Sequence, residues 1–171
     1  DNRLLTGQLA AGRAVLNCFC YTGGFSLQAL AGGATSVLSI DSSGPALESA
    51  RRNLALNPQL DATRAEWQEA DVFKALRALK EEGRKFDLIV SNPPYFVDAL
   101  RCPDNQRCMA RHTSELNYEL LFGHSAYLLS EQGVISIIIP AEVERTVIDT
   151  AWKYNFHPHR RLHVFTKPGK P

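Results

Sequence analysis

The stretch Ala14-Val15-Leu16-Asn17-Cys18-Phe19-Cys20-Tyr21-Thr22-Gly23-Gly24-Phe25 decides the fold. Its first half is apolar and of strand length, and its paired glycines mark a tight turn with a helix beyond it. An apolar run that ends in a glycine turn and opens a helix is the first step of an α/β sheet. The strand is read as Ala14 to Cys20 and the helix as starting near Phe25, with Ala31-Gly32-Gly33 as its stop.

The same step repeats down the chain. A second strand, Ser36 to Asp41, ends on an acid; Pro45 suits a first helical turn, and Leu47, Ala50, Leu54 and Leu56 trace an apolar stripe until Asn57-Pro58. A third strand, Thr63 to Glu69, leads through Ala70-Asp71 into a helix from Val72 to Glu82 that Gly83 closes. The fourth, Phe86 to Ser91, is terminated by the prolines after Asn92. From Phe96 to Thr113 no period holds, and Arg101, Arg107, Arg111 and His112 make the segment basic; a loop of this length in a compact domain is functional or disordered. Beyond it lie a helix from Leu116 to Leu129, a break at Gly133, a strand from Val134 to Ile139, a helix from Ala141 to Tyr154 and a sixth strand from Arg160 to Phe165. The pattern is α/β, with a mostly parallel central sheet flanked by helices.

A length of 171 residues fits one domain, and 44% hydrophobic residues suffice for a buried core. With 19 Lys+Arg against 18 Asp+Glu there is no global charge excess, so any nucleic-acid contact must come from a local patch. Cys18, Cys20, Cys102 and Cys108 lack the ligand spacing of a structural zinc site, and no metal is expected. Without a cleavable apolar leader or a run of ~20 apolar residues, the chain reads as cytoplasmic and free of membrane.

In an open α/β sheet, ligands bind where the strands deliver their carboxyl ends. The residues there form a coherent set. After strand one, Gly23-Gly24 lets the backbone approach a ligand and leaves amides at a helix start. Asp41, ending strand two, is placed to accept both ribose hydroxyls of an adenosine-containing cofactor. Asp71, after strand three, can accept an adenine amino group while Val72 and Phe73 pack on the ring; taken alone, either acid could equally cap a helix. After strand four comes Asn92-Pro93-Pro94-Tyr95. An exocyclic amino nitrogen is a poor nucleophile because its lone pair is delocalised into the ring. The Asn92 side-chain oxygen and the Pro93 carbonyl can hold its two hydrogens and aim the lone pair at a sulfonium methyl, while Tyr95 stacks on the target.

These residues resemble the class I S-adenosylmethionine-dependent methyltransferases over nearly the whole chain, which implies a Rossmann-like fold. Leu16 to Phe25, with Ser39-Ile40-Asp41-Ser42-Ser43 and Asp71-Val72-Phe73, is similar to the catalytic domain of bacterial 23S rRNA cytosine-C5 methyltransferases. From Phe86 the likeness changes. Ser91 to Phe96, Cys102-Pro103-Asp104, Arg107, Ala110-Arg111-His112-Thr113 and Thr166-Lys167-Pro168-Gly169-Lys170-Pro171 resemble bacterial tRNA(Val) adenine-N6 methyltransferases. The resemblance implies S-adenosylmethionine as cofactor, held by Asn17, Phe19, Tyr21, Thr22, Gly23, Gly24, Phe25, Asp41, Ser42, Asp71, Val72, Phe73 and Asn92. It implies catalysis at Asn92, Pro93, Pro94 and Tyr95, and an RNA substrate, tRNA above all, met by Tyr95, Phe96, Arg107, Arg111 and His112. Residues 1–85 would then form a cofactor half and residues 86–171 a catalytic half, of a chain joining two subfamilies. The fold's final seventh strand is expected to be absent, leaving strand six with an open edge.

The halves imply different reactions. Cytosine C5 becomes nucleophilic only after a cysteine thiolate adds to C6; strand five ends Ile139-Pro140-Ala141-Glu142 without a cysteine, and strand four ends in Asn-Pro-Pro-Tyr and not in the Asp-Pro-Pro of the cytosine enzymes. The amino-nitrogen reaction is therefore the expectation. A protein glutamine amide is the alternative planar target, and a non-catalytic scaffold that keeps the fold is the alternative outside enzymes.

Overall fold

The computed structural model describes residues 2–94 and 105–164, the side chains of 105–116 excepted. The chain divides into two compact units, Asp1–Pro94 with Tyr127–Ile138, and Tyr95–Ala126 with Ile139–Pro171.

The first unit holds α1 (Asn2–Ala10), β1 (Ala14–Cys18), α2 (Gly24–Ala31), β2 (Ser36–Asp41), α3 (Gly44–Ala55), β3 (Ala65–Glu69), α4 (Val72–Glu81), β4 (Phe86–Ser91) and β5 (Leu129–Ile137). The five strands form one sheet in the order β3-β2-β1-β4-β5. Every pairing is parallel. The chain thus steps outward from β1 to β3, then returns to the other flank of β1 for β4 and β5, and the reversal opens a crevice at the carboxyl ends of β1 and β4.

Both faces of the central strands are buried, as a parallel sheet requires. Val15, Val37, Leu88 and Val90 pack with Ala10, Ala29, Leu30, Ala34 and Leu54 on one face, while Leu16, Leu38, Ile40 and Ile89 are fully or almost fully buried. At the opposite strand ends, Asp87 accepts the Ala14 amide at 3.0 Å and the Ser130 hydroxyl at 2.7 Å, pinning β4 to its neighbours. The Ala14 amide, and then the Ser130 hydroxyl, hold the Asp87 carboxyl below the usual carboxylate range.

β2 and β4 occupy the residues the pattern predicts. Elsewhere the structure corrects the reading. β1 stops at Cys18 and not Cys20, because Phe19 turns left-handed (φ 57°) and leaves the ladder. Residues Ala62–Arg64 form a 3-10 turn capped by Asp61, so β3 starts at Ala65 and not Thr63. Leu56 falls past the end of α3 and is 79% exposed, so the stripe ends at Leu54. Gly133 does not separate a helix from a strand. It lies inside β5, where the pairing jumps from Phe86–Leu129 to Leu88–Val134, and a Cβ there would come within 2.9 Å of Leu129 Cδ2.

α1 was not predicted. It lies against α2 through glycine, with a Cβ at Gly32 falling 2.0 Å from the Gly7 carbonyl oxygen.

In the second unit, α5 (Asn105–Leu128, its last residues in the first unit) replaces the loop expected to run to Thr113, and α6 spans Glu144–Lys153 after a 3-10 turn at Ala141–Val143. Phe122 packs on Phe156 at 5.6 Å between ring centroids, and Lys153 pairs with Glu119 at 2.7 Å. The sixth strand expected from Arg160 to Phe165 is absent over 160–164, where Arg161 and His163 turn to Glu144 instead. Phe165 and the Lys-Pro-Gly-Lys-Pro end lie outside the described residues.

Candidate active site

The loop after β1 is left-handed at every second residue: Phe19, Tyr21 and Gly23 have φ of 57°, 49° and 78°. For glycine this is free; for an aromatic residue it costs of the order of 1–2 kcal/mol. Such a conformation persists only where its surroundings over-determine it. They do here. Cys20 donates its amide to Ile40 O at 3.1 Å, Tyr21 donates its amide to Asp41 Oδ2 at 2.8 Å, and Gly23 donates to Cys20 O at 2.9 Å. Asn53, on α3, donates its side-chain amide to Thr22 O at 3.0 Å. Gly23 is also sterically required, since a Cβ would sit 2.9 Å from both Ala50 Cβ and the Trp67 ring.

Asp41 ends β2 beside this loop. One oxygen accepts from Tyr21 and the other accepts the Ser43 amide at 2.9 Å, so the carboxylate fixes two loops at once. Each oxygen keeps a second lone pair, which leaves the side chain able to accept two ligand hydroxyls. Ser42 beside it is exposed. Asp71 is the N-cap of α4, accepting the Lys74 amide at 2.9 Å. The residues after it divide: Val72 is buried, while Phe73 meets Phe19 edge-on at 5.9 Å.

Two of the expected cofactor residues face inward. Asn17 is 1% exposed and donates to Ser26 Oγ at 2.8 Å, which in turn lies 2.8 Å from Ser39 Oγ. Phe25 packs against the core under α2. A cavity of about 380 Å3 opens on the flank of the loop, lined by Arg3, Gln28, Asn53, Leu56, Asn57 and Leu60; Thr22 and Gly24 line it too, so it adjoins the crevice without being it.

β4 delivers Ser91, buried, then Asn92, exposed, Pro93, buried, and Pro94, exposed. Cys18 and Ser91 are register partners, so the Asn92 turn and the β1 loop leave neighbouring strands at the same end of the sheet. Ser91 O accepts the Ile138 amide at 3.0 Å, which ties the turn to the end of β5. Tyr95 and Phe96 lie outside the described residues, as do the side chains of Arg107, Arg111 and His112.

Burial pushes both Cys18 and Cys20 up to about 12, with the neighbouring Cys20 and Asp41 charges adding to it. Both are thiols at neutral pH, unsuited to nucleophilic attack. Among the described residues no three His, Cys, Asp or Glu side chains gather as metal ligands. No described helix is long and apolar enough to cross a membrane.

Sequence reasoning missed the left-handed Phe19 and Tyr21, because neither residue type signals that conformation. The acid closing β2 is the signal that pointed to this end of the sheet.

A family model described as S-adenosylmethionine-dependent methyltransferase matches residues 2–124. Ribosomal RNA large subunit methyltransferase I of Tolumonas auensis is 53% identical over 98 residues, which is 57% of this chain and 24% of the relative. The protein of the same name from Serratia proteamaculans is 52% identical over 98 residues, with the same shares. The chain therefore spans about a quarter of the length of these curated relatives. Among solved structures, a Streptococcus mutans protein described as a SAM-dependent methyltransferase matches 92% of this chain and 40% of its own, with TM-score 0.72 at 23% identity. A methyltransferase complexed with SAH matches 88% of this chain and 40% of its own, with TM-score 0.69 at 24% identity. The ribosomal protein L11 methylase of Lactobacillus delbrueckii subsp. bulgaricus matches 95% and 71%, with TM-score 0.71 at 19% identity. At these identities the structures establish the Rossmann-like fold.

Proposed function

We propose, from the premise that the chain belongs to the S-adenosylmethionine-dependent methyltransferase family, that it methylates an exocyclic amino nitrogen of RNA, N6 of adenine, with tRNA as the RNA. In this reading residues 1–85 hold the cofactor and residues 86–171 the substrate, within one domain.

The described residues fit the cofactor. Asp41 keeps two acceptor positions for the ribose hydroxyls, the strained loop from Phe19 to Gly24 brings backbone close to a ligand, and Phe73 offers a ring face near Asp71 for adenine. When bound, S-adenosylmethionine supplies an electrophilic methyl group and leaves as S-adenosylhomocysteine. Asn92 accepts one amino hydrogen and the Pro93 carbonyl the other, which frees the nitrogen lone pair and points it at the methyl carbon. The methylated nitrogen would then carry one proton too many, which would pass to solvent. No strong base is needed, and positioning carries the barrier reduction.

One observation carries this reading: Asn92 stands exposed at the end of an otherwise buried strand, held by two prolines, beside the strained loop of β1. The test is incubation with labelled S-adenosylmethionine and total unmodified RNA, followed by nucleoside analysis. The expected product is N6-methyladenosine; label confined to 5-methylcytidine would overturn the reaction assigned here.

That second product deserves naming because the relatives at 52–53% identity are called ribosomal RNA large subunit methyltransferase I, which supports RNA as the substrate class and offers ribosomal RNA as the competitor to tRNA. Against the cytosine reaction stand the Asn-Pro-Pro turn after β4 and the end of β5, which carries no cysteine.

Two expectations follow. Asp41→Ala removes the charged acceptor for the ribose, and cofactor affinity measured by calorimetry should weaken by about 1.5–3 kcal/mol, the range for hydrogen bonds to a charged group; unchanged affinity would displace Asp41 from the cofactor. Arg107 and Arg111, both within α5, are assigned to RNA phosphates. Replacing both with glutamate should weaken RNA binding and flatten its salt dependence by roughly 0.7 in log–log slope per lost contact, with cofactor affinity retained. An unaltered slope would remove α5 from the RNA contact.

A further inference from the structure

We propose that the Tyr21 ring is a stacking platform for a base of the RNA substrate, so that this residue serves the cofactor with its backbone and the RNA with its side chain; the proposal rests on the RNA reading above. Three observations meet in this residue. Its backbone is left-handed, with φ of 49°, a conformation glycine adopts without cost. That backbone is clamped, by the Tyr21 amide on Asp41 Oδ2 and by Gly23 N on Cys20 O. Its side chain nevertheless remains 70% exposed, and no ring contact or hydroxyl hydrogen bond engages it among the described residues.

Phe19 makes the contrast. It has the same left-handed strain, but its ring packs edge-on against Phe73, so the fold uses that side chain. Among the described residues none makes such use of the Tyr21 ring. A large aromatic ring left in solvent on a clamped backbone that would be more relaxed as glycine matches what single-stranded nucleic acid needs: an aromatic face on which a base can stack. Location agrees. Tyr21 lies on the loop that leaves β1, and Asn92 on the turn that leaves the adjacent β4, so both border the crevice at the switch point. A base neighbouring the target nucleotide can rest on Tyr21 while the target itself sits at Asn92, and the phenol hydroxyl is not required for stacking.

The test compares Tyr21→Gly, Tyr21→Phe and the parent. Tyr21→Gly suits the left-handed backbone, so its thermal midpoint should stay close to the parent's, and a merely structural residue would then show no defect. Binding of a short fluorescein-labelled oligoadenylate, read by anisotropy, should weaken by about fivefold to a hundredfold in Tyr21→Gly, the span for one base on an aromatic ring. Tyr21→Phe should restore it, and in Tyr21→Gly the loss of oligoadenylate affinity should far exceed any change in S-adenosylhomocysteine affinity read by calorimetry. If Tyr21→Gly loses S-adenosylhomocysteine and keeps oligoadenylate, the ring belongs to the cofactor pocket and the proposal is overturned. It is equally overturned if neither affinity changes, or if the parent methylates RNA without binding oligoadenylate. A parent that neither methylates nor binds RNA overturns the RNA reading itself.

Discussion

Gly32→Ala is expected to be the most damaging conservative substitution outside the active site, costing about 4 kcal/mol or more, at the upper end of what one residue does. An added Cβ would lie 2.0 Å from the Gly7 carbonyl oxygen, 2.5 Å from its carbon and 2.7 Å from its Cα. These are backbone atoms of a helix, so no rotamer change relieves the clash, and α1 must leave α2. The contact is reciprocal: a Cβ at Gly7 would fall 2.9 Å from Gln28 O. The consequence reaches the core, because Ala10, at the end of α1, is fully buried with Val15, Ala29 and Leu88. Gly33→Ala makes the control. Gly33 has φ of 89° but nothing within 4 Å of its would-be Cβ, so it carries conformational strain without a clash and should cost about 1 kcal/mol. Urea unfolding of the three proteins decides the matter. Equal midpoints for Gly32→Ala and Gly33→Ala would mean that the α1–α2 contact contributes little.

That pair of glycines also explains what the sequence concealed. The strands at the centre of the sheet were legible, and Ser36–Asp41 and Phe86–Ser91 were read with the bounds the structure gives them, because burial on both faces imposes an unbroken apolar run. α1 left no such trace: its contact with α2 is made by absent side chains, and Leu4 on its surface is 60% exposed, so apolar periodicity understates it. The start of α5 at Asn105 was hidden because its first turns are polar and basic, which looks like a loop when no neighbour is known. The end of β1 was misjudged for a different reason. Phe19 and Cys20 are good strand residues by type, and it is the left-handed turn at Phe19, held by Ile40 and Asp41 across the sheet, that takes them out of the ladder. At the site, the positions of Asp41 and Asn92 followed from strand ends alone. The cap that Asp71 makes on α4 was one of the two readings its position allowed; what could not follow was that Asn17 faces the Ser26–Ser39 pair, since the surroundings of a strand residue depend on the register of its neighbours.

Asn92→Ala should abolish methyl transfer while sparing the fold, with a far smaller effect on cofactor binding than on turnover. The side chain is exposed beyond the last residue of β4, so its removal opens no cavity and leaves no buried group unpaired. Its proposed work is done when the amino lone pair must be freed. The interaction is therefore stronger in the transition state than in the ground state, and its loss falls on turnover and not on binding. By analogy with the removal of an oxyanion-hole donor, the loss should be about 100-fold or more in single-turnover rate. Asn92→Asp separates the hydrogen bond from the amide: a carboxylate still accepts from the amino group, so this variant should retain more activity than alanine. A thermal melt, which should match the parent, and calorimetry with S-adenosylhomocysteine, which should change far less than the single-turnover rate, provide the two controls. If Asn92→Ala turns over RNA at the parent's rate, Asn92 does not act on the amino nitrogen and the reaction assigned to this turn is wrong.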